Sequence, residues 1–151
     1  MKRIMVMLAV LLLALAGACG GGNTTSTSST PTGLPGTEVP VNGGSYWVVT
    51  PAQLYAMLPA DDFLLVNIDV VPSNIIQGTD LYVKPAEIQQ NLDKFPVDKA
   101  HKIVLYCMAG GSFPPVAEAL VAAGYTRVMA LEGGIIRWAQ QGYPVTPYDA
   151  P

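Results

Sequence analysis

The chain has 151 residues, two of them cysteines; half of the residues are apolar, and eight Lys and Arg stand against eleven Asp and Glu. A net charge of −3 excludes the basic face that nucleic-acid binding needs. Beyond the N-terminal segments about 107 residues remain, enough for one domain around a single core.

At the N-terminus Lys2-Arg3 precede an unbroken apolar run from Ile4 to Leu15, and Leu15-Ala16-Gly17-Ala18 lead into Cys19. The run is shorter than the roughly 20 residues a membrane-spanning helix requires. The segment resembles a bacterial lipoprotein signal. That resemblance implies cleavage after residue 18, lipidation of the Cys19 thiol, and anchoring to the cell membrane on its extracytoplasmic side. Loss of residues 1–18 removes Lys2 and Arg3, leaving six basic and eleven acidic residues. Residues 19–44 are rich in Gly, Ser, Thr and Pro, with Glu38 the only charge, and read as a tether reaching roughly 25–30 Å.

From Ser45 the composition is globular, so the folded domain is expected at 45–151. Thr50-Pro51-Ala52-Gln53 has the form of a capping box with proline at the first helical position, predicting a helix over Pro51 to Leu58. Phe63 to Ile68 is a nearly continuous apolar run, the mark of a strand buried on both faces. A loop with Pro72, Gly78 and Asp80 follows, then a helix near Pro85 to Lys94 and a strand over Lys102 to Tyr106. Next come a loop over 107–113, a helix from Pro114 to Ala123 closed by Gly124, a strand at Arg127 to Leu131, a Gly133-Gly134 turn, and a helix from Ile135 to Gln141. Alternating strands and helices predict an α/β fold, a mainly parallel sheet with helices on both faces and ligands at the carboxyl ends of the strands.

Cys107 stands at such an end, opening a glycine-bearing loop before a helix, where unpaired N–H groups and the helix dipole favour a thiolate. With Cys19 lipidated, no intramolecular disulfide can form, and the remaining thiol is either packed as a small hydrophobe or used. His101, the only histidine, precedes the strand at the opposite end and reads as a solvated loop residue. Glu118 reads as surface charge and Trp138 as core.

Tyr106-Cys107 and its loop, Ala123-Gly124-Tyr125-Thr126-Arg127-Val128, Leu131-Glu132-Gly133-Gly134-Ile135-Ile136-Arg137-Trp138 and Gly142-Tyr143-Pro144-Val145 resemble the second half of a single-domain rhodanese. Upstream, Leu65-Val66-Asn67-Ile68-Asp69-Val70 matches that family's strand ending in an aspartate, so the resemblance spans roughly Pro51 to Val145. It implies a rhodanese-like fold and sulfur transfer. Cys107 would take sulfane sulfur from a small anion such as thiosulfate, hold it as a persulfide, and pass it to a thiol or cyanide acceptor. The backbone of Met108, Ala109, Gly110, Gly111 and Ser112 would cradle the anion, Asp69 would support the loop, and no metal or organic cofactor is needed.

Two departures bear on this. Many family members carry arginine, then serine, where this chain has Ser112 and Phe113, and Asp-Val-Arg where it has Asp69-Val70-Val71. No Lys or Arg occurs between Lys102 and Arg127. A related phosphatase would need arginine six positions after the cysteine, and Phe113 holds that place. The retained cysteine favours a sulfurtransferase; the missing arginines favour a catalytically weak module that binds a partner or senses oxidants or persulfides through Cys107.

Overall fold

The computed structural model describes residues 33–149; Cys19, the signal at 1–18 and much of the tether lie outside the described residues. Strands β1 (Thr37–Val41), β2 (Gly44–Val49), β3 (Phe63–Asn67), β4 (Asn74–Ile76), β5 (Leu81–Tyr82), β6 (Lys102–Tyr106), β7 (Val128–Leu131) and β8 (Val145–Pro147) alternate with helices α1 (Pro51–Met57), α2 (Phe113–Ala122) and α3 (Gly134–Gln140). The main sheet has the order β1-β2-β7-β6-β3-β5. Only the β1–β2 pair in it is antiparallel. A small second sheet pairs β4 with β8 antiparallel.

Because side chains alternate across a strand, the central strands serve two apolar layers at once. On one side Val66, Ile103, Leu105 and Cys107 pack with Phe113, Val116, Ala117 and Leu120 of α2. On the other, Leu65, Val104, Tyr106 and Leu131 pack with Leu54 of α1 and Trp138 of α3. The buried positions of α2, at 113, 116, 117, 120 and 121, follow the spacing of a helix with one face inward.

The expected capping box is present: the Gln53 N–H donates to Thr50 Oγ1 at 3.3 Å, and the Thr50 N–H donates to Gln53 Oε1 at 2.9 Å. Elsewhere the structure corrects the sequence reading. Thr37–Val41, placed in the tether, is an edge strand, so the fold begins before Ser45. Pro40 is tolerated there because an edge strand leaves one side of its backbone unpaired. The Val41↔Gly44 register closes a hairpin over Asn42-Gly43, with Gly43 at φ +90°. Pro85–Lys94 forms 3₁₀ turns with a non-helical Asn91, not an α-helix. The Asn91 amide donates to the Glu87 carbonyl at 2.8 Å, a local bond that competes with the helical ladder.

Candidate active site

Cys107 follows β6 at the carboxyl end of the sheet and is only 2 % exposed. Its loop turns back at once, and the Gly110 N–H donates to Cys107 Sγ at 3.2 Å. This turn needs glycine at 110, where φ is +79° and an added Cβ would lie 2.8 Å from the Gly133 nitrogen.

Three hydrogen bonds of the loop backbone, one to a carboxylate and two to α3, fix its cysteine end. The Met108 N–H donates to Asp69 Oδ1 at 2.6 Å, tying the loop to the end of β3. From α3, the Ile135 N–H donates to the Cys107 carbonyl at 2.9 Å and the Ile136 N–H to the Met108 carbonyl at 3.0 Å. The main chain of Gly134 comes so near that a Cβ there would sit 2.1 Å from the Cys107 carbonyl oxygen. In the sequence Gly133-Gly134 reads as a turn; in the structure the pair is also a seat for the loop. The available signal was two adjacent glycines one residue past a strand.

Asp69 is buried beneath the loop, and its own N–H donates to Asn67 Oδ1 at 2.8 Å. Burial pushes its carboxyl above the ordinary value, while the Met108 N–H that donates to it pulls it back. Asn67 is fully buried and its Nδ2 has no hydrogen-bond partner. On the opposite face of β6, the Tyr106 hydroxyl lies 2.6 Å from Thr79 Oγ1 and accepts the Ile76 N–H at 3.2 Å, holding the Gly78 turn against the sheet. Burial raises the Tyr106 hydroxyl above its ordinary value, opposed by the Thr79 contact.

The remaining loop residues divide by exposure. Met108, Ala109, Gly111 and Ser112 are exposed, and Ser112 occupies the N-cap of α2 without its side chain capping the helix. Phe113 points into the core instead, edge-on to Tyr46 of β2 at 6.1 Å. Trp138 is fully buried, its indole N–H donating to the Pro144 carbonyl at 2.9 Å, and Glu118 lies exposed on α2. A cavity of about 430 Å³ lined by Tyr55, Phe63, Asp61, Asp80 and Trp138 does not include Cys107.

A profile of the rhodanese-like domain matches residues 50–141, from the Thr50 cap through α3, with Cys107 and Asp69 inside the span. The chain belongs to the rhodanese-like domain family. A protein named sulfurtransferase from Allochromatium vinosum is 34% identical over 90 residues, 56% of this chain and 79% of that protein. Among solved structures, a rhodanese-related protein from Thermoplasma volcanium superposes with TM-score 0.54 at 23% identity, over 66% of this chain and 96% of its own. The rhodanese-like domain of an Anabaena sp. protein gives TM-score 0.55 at 18% identity, over 68% and 85%. These two share the rhodanese-like fold, and the Allochromatium relative is the one that carries the sulfurtransferase name.

Proposed function

We propose that the protein moves sulfane sulfur through a persulfide on Cys107 and does so from a lipid anchor on Cys19. The observation that carries the catalytic reading is the 3.2 Å bond from the Gly110 N–H to Cys107 Sγ inside a glycine-bearing loop. In that arrangement a backbone dipole faces the sulfur as it bears negative charge, first as thiolate and then as persulfide.

Transfer proceeds in two displacements. The Cys107 thiolate attacks the outer sulfur of a donor such as thiosulfate, the new Sγ–S bond forms, and the donor's old bond to that sulfur breaks with its electron pair leaving on sulfite. An acceptor thiolate or cyanide then takes the outer sulfur and returns Cys107 to thiolate. The loop's carbonyls are held by α3 and one of its N–H groups by Asp69, so the thiol is positioned before any donor arrives.

A second reading, a persulfide or oxidant sensor on the same thiol, is favoured by Ser112 and Val71 standing where family members carry arginine. Intact mass measurement on the full-length chain carrying Cys19→Ser, in detergent, separates the two. With Cys107 as sole thiol, thiosulfate or polysulfide should add one sulfur that a thiol acceptor removes catalytically, and Cys107→Ser should abolish the gain. A single modification without turnover supports the sensor, and no adduct on a folded chain ends both readings.

A further inference from the structure

The large apolar side chains left exposed include four that belong to one place: Val70 at 67 %, Val71 at 76 %, Met108 at 46 % and Ile136 at 44 %. Hydrogen bonds of the loop bring their main chains together. Val70 and Val71 follow Asp69, whose carboxylate holds the Met108 N–H, and the Ile136 N–H holds the Met108 carbonyl. The Tyr82 hydroxyl fixes the turn by donating to the Val70 carbonyl at 2.8 Å. Single exposed aliphatics are ordinary on a protein surface, but four collected around one reactive loop form a surface that gains from contact with apolar groups.

Charge at the same place points the same way. The loop and α2 carry no Lys or Arg, and Arg137, next to Ile136, is paired with Glu132. Asp69 lies directly beneath the loop. An inorganic dianion therefore meets no free cation among these groups and one carboxylate, whereas a donor with an apolar body meets four aliphatic side chains.

Building on the sulfur-transfer reading, we propose that the donor is an organic sulfane compound whose leaving group is apolar, and that Val70, Val71, Met108 and Ile136 select it over thiosulfate. An aryl thiosulfonate, R–SO₂–S⁻, shows the balance. The Cys107 thiolate attacks the outer sulfur, the Sγ–S bond forms, and the S–SO₂ bond breaks with its electron pair on the sulfinate R–SO₂⁻. One thiolate and one thiosulfonate anion give one persulfide anion and one sulfinate, and no outside oxidant or reductant is needed. The apolar R group rests against the rim while the charged atoms stay at the loop.

The experiment measures kcat/KM of the full-length Cys19→Ser chain, with cyanide as acceptor and thiocyanate as readout, each rate divided by the uncatalysed rate for that donor. Thiosulfate, methanethiosulfonate and benzenethiosulfonate are the probes; the last two share a charge and differ in apolar area. The expected order puts benzenethiosulfonate roughly ten-fold above methanethiosulfonate, the worth of a partly buried ring, with thiosulfate lowest. The double variant V71S/I136S, altered only at exposed positions, should lower benzenethiosulfonate about five times more than methanethiosulfonate. Ser112→Arg should raise thiosulfate about ten-fold by supplying a charged hydrogen-bond donor. Equal values for the two thiosulfonates, or a preference for thiosulfate, overturn the apolar-donor proposal and leave sulfur transfer standing. Absence of Cys107-dependent turnover with all three donors overturns both.

Discussion

Alanine at position 134 tests whether α3 holds the Cys107 loop. Gly134 has φ +59°, a left-handed conformation that costs an L-residue roughly 1–2 kcal/mol. The added Cβ would stand 2.1 Å from the Cys107 oxygen and 2.7 Å from the Met108 oxygen, against an ordinary contact of 3.4 Å or more. Both obstacles are backbone, so the loop and the helix must part by about 1 Å or more, a shift comparable to the misplacements that cost enzymes 10²-fold. Parting stretches the bonds from Ile135 and Ile136, now 2.9 and 3.0 Å, each worth about 0.5–1.5 kcal/mol. Strain and lost bonds together predict a destabilisation of roughly 2–5 kcal/mol in urea unfolding, and persulfide formation slower by about 10²-fold.

Gly142→Ala is the matched control. Its φ of +80° imposes similar strain, yet nothing lies within 4 Å of an added Cβ. It should lose only the roughly 1–2 kcal/mol of strain and keep its rate of persulfide formation. Equal losses in the two variants, in stability and in rate, would refute the idea that Gly134 is required by the loop rather than by its own backbone angle.

Two other outcomes follow from the site and the N-terminus. Burial raises the Asp69 carboxyl above its ordinary 3.8, so the folded state binds that proton more tightly than the unfolded chain does. The stabilisation is complete below pH 3.8 and is lost as pH climbs through the folded value. Asp69→Asn keeps an oxygen for the Met108 N–H without the charge, so its stability relative to the parent, by denaturant unfolding, should improve from pH 4 to pH 7. A flat difference across that range, or one of opposite slope, rules out the buried-charge account. At the N-terminus, a chain expressed in a bacterium with labelled fatty acid should take up label, and Cys19→Ser should take up none; equal labelling would remove the lipid anchor.

The apolar runs at Phe63 to Ile68 and Lys102 to Tyr106 announced the central strands because burial on both faces leaves no polar alternation to hide them. Helix α2 and the Thr50 cap were equally plain, since their signals are local. What escaped was non-local or masked by composition. Strands β4 and β8 are three residues each and pair across more than seventy positions, Asn74 to Pro147, with nothing in either segment to name its partner. Strand β1 sat within a Gly, Ser, Thr and Pro stretch that reads as a linker, although Asn42-Gly43 between Val41 and Gly44 is a hairpin dipeptide.

At the site the same division holds, and it bears on how the domain handles sulfur. Cys107, Gly110 and Asp69 were legible because their chemistry is written in residue type; the seat at Gly134 and the apolar rim were not, because they arise where α3, the loop more than twenty residues upstream and the segment after Asp69 meet. Nearly everything that holds the thiol is main chain: the Gly110 N–H on the sulfur, the Ile135 and Ile136 N–H groups on the loop carbonyls, and the Met108 N–H on one carboxylate. Such a frame does not depend on which side chains stand at 112, 71 or 136. If Cys107 carries sulfur as proposed, Ser112 and Val71 leave this main-chain frame as built and change only what approaches it, so donor choice and sulfur handling would be separable.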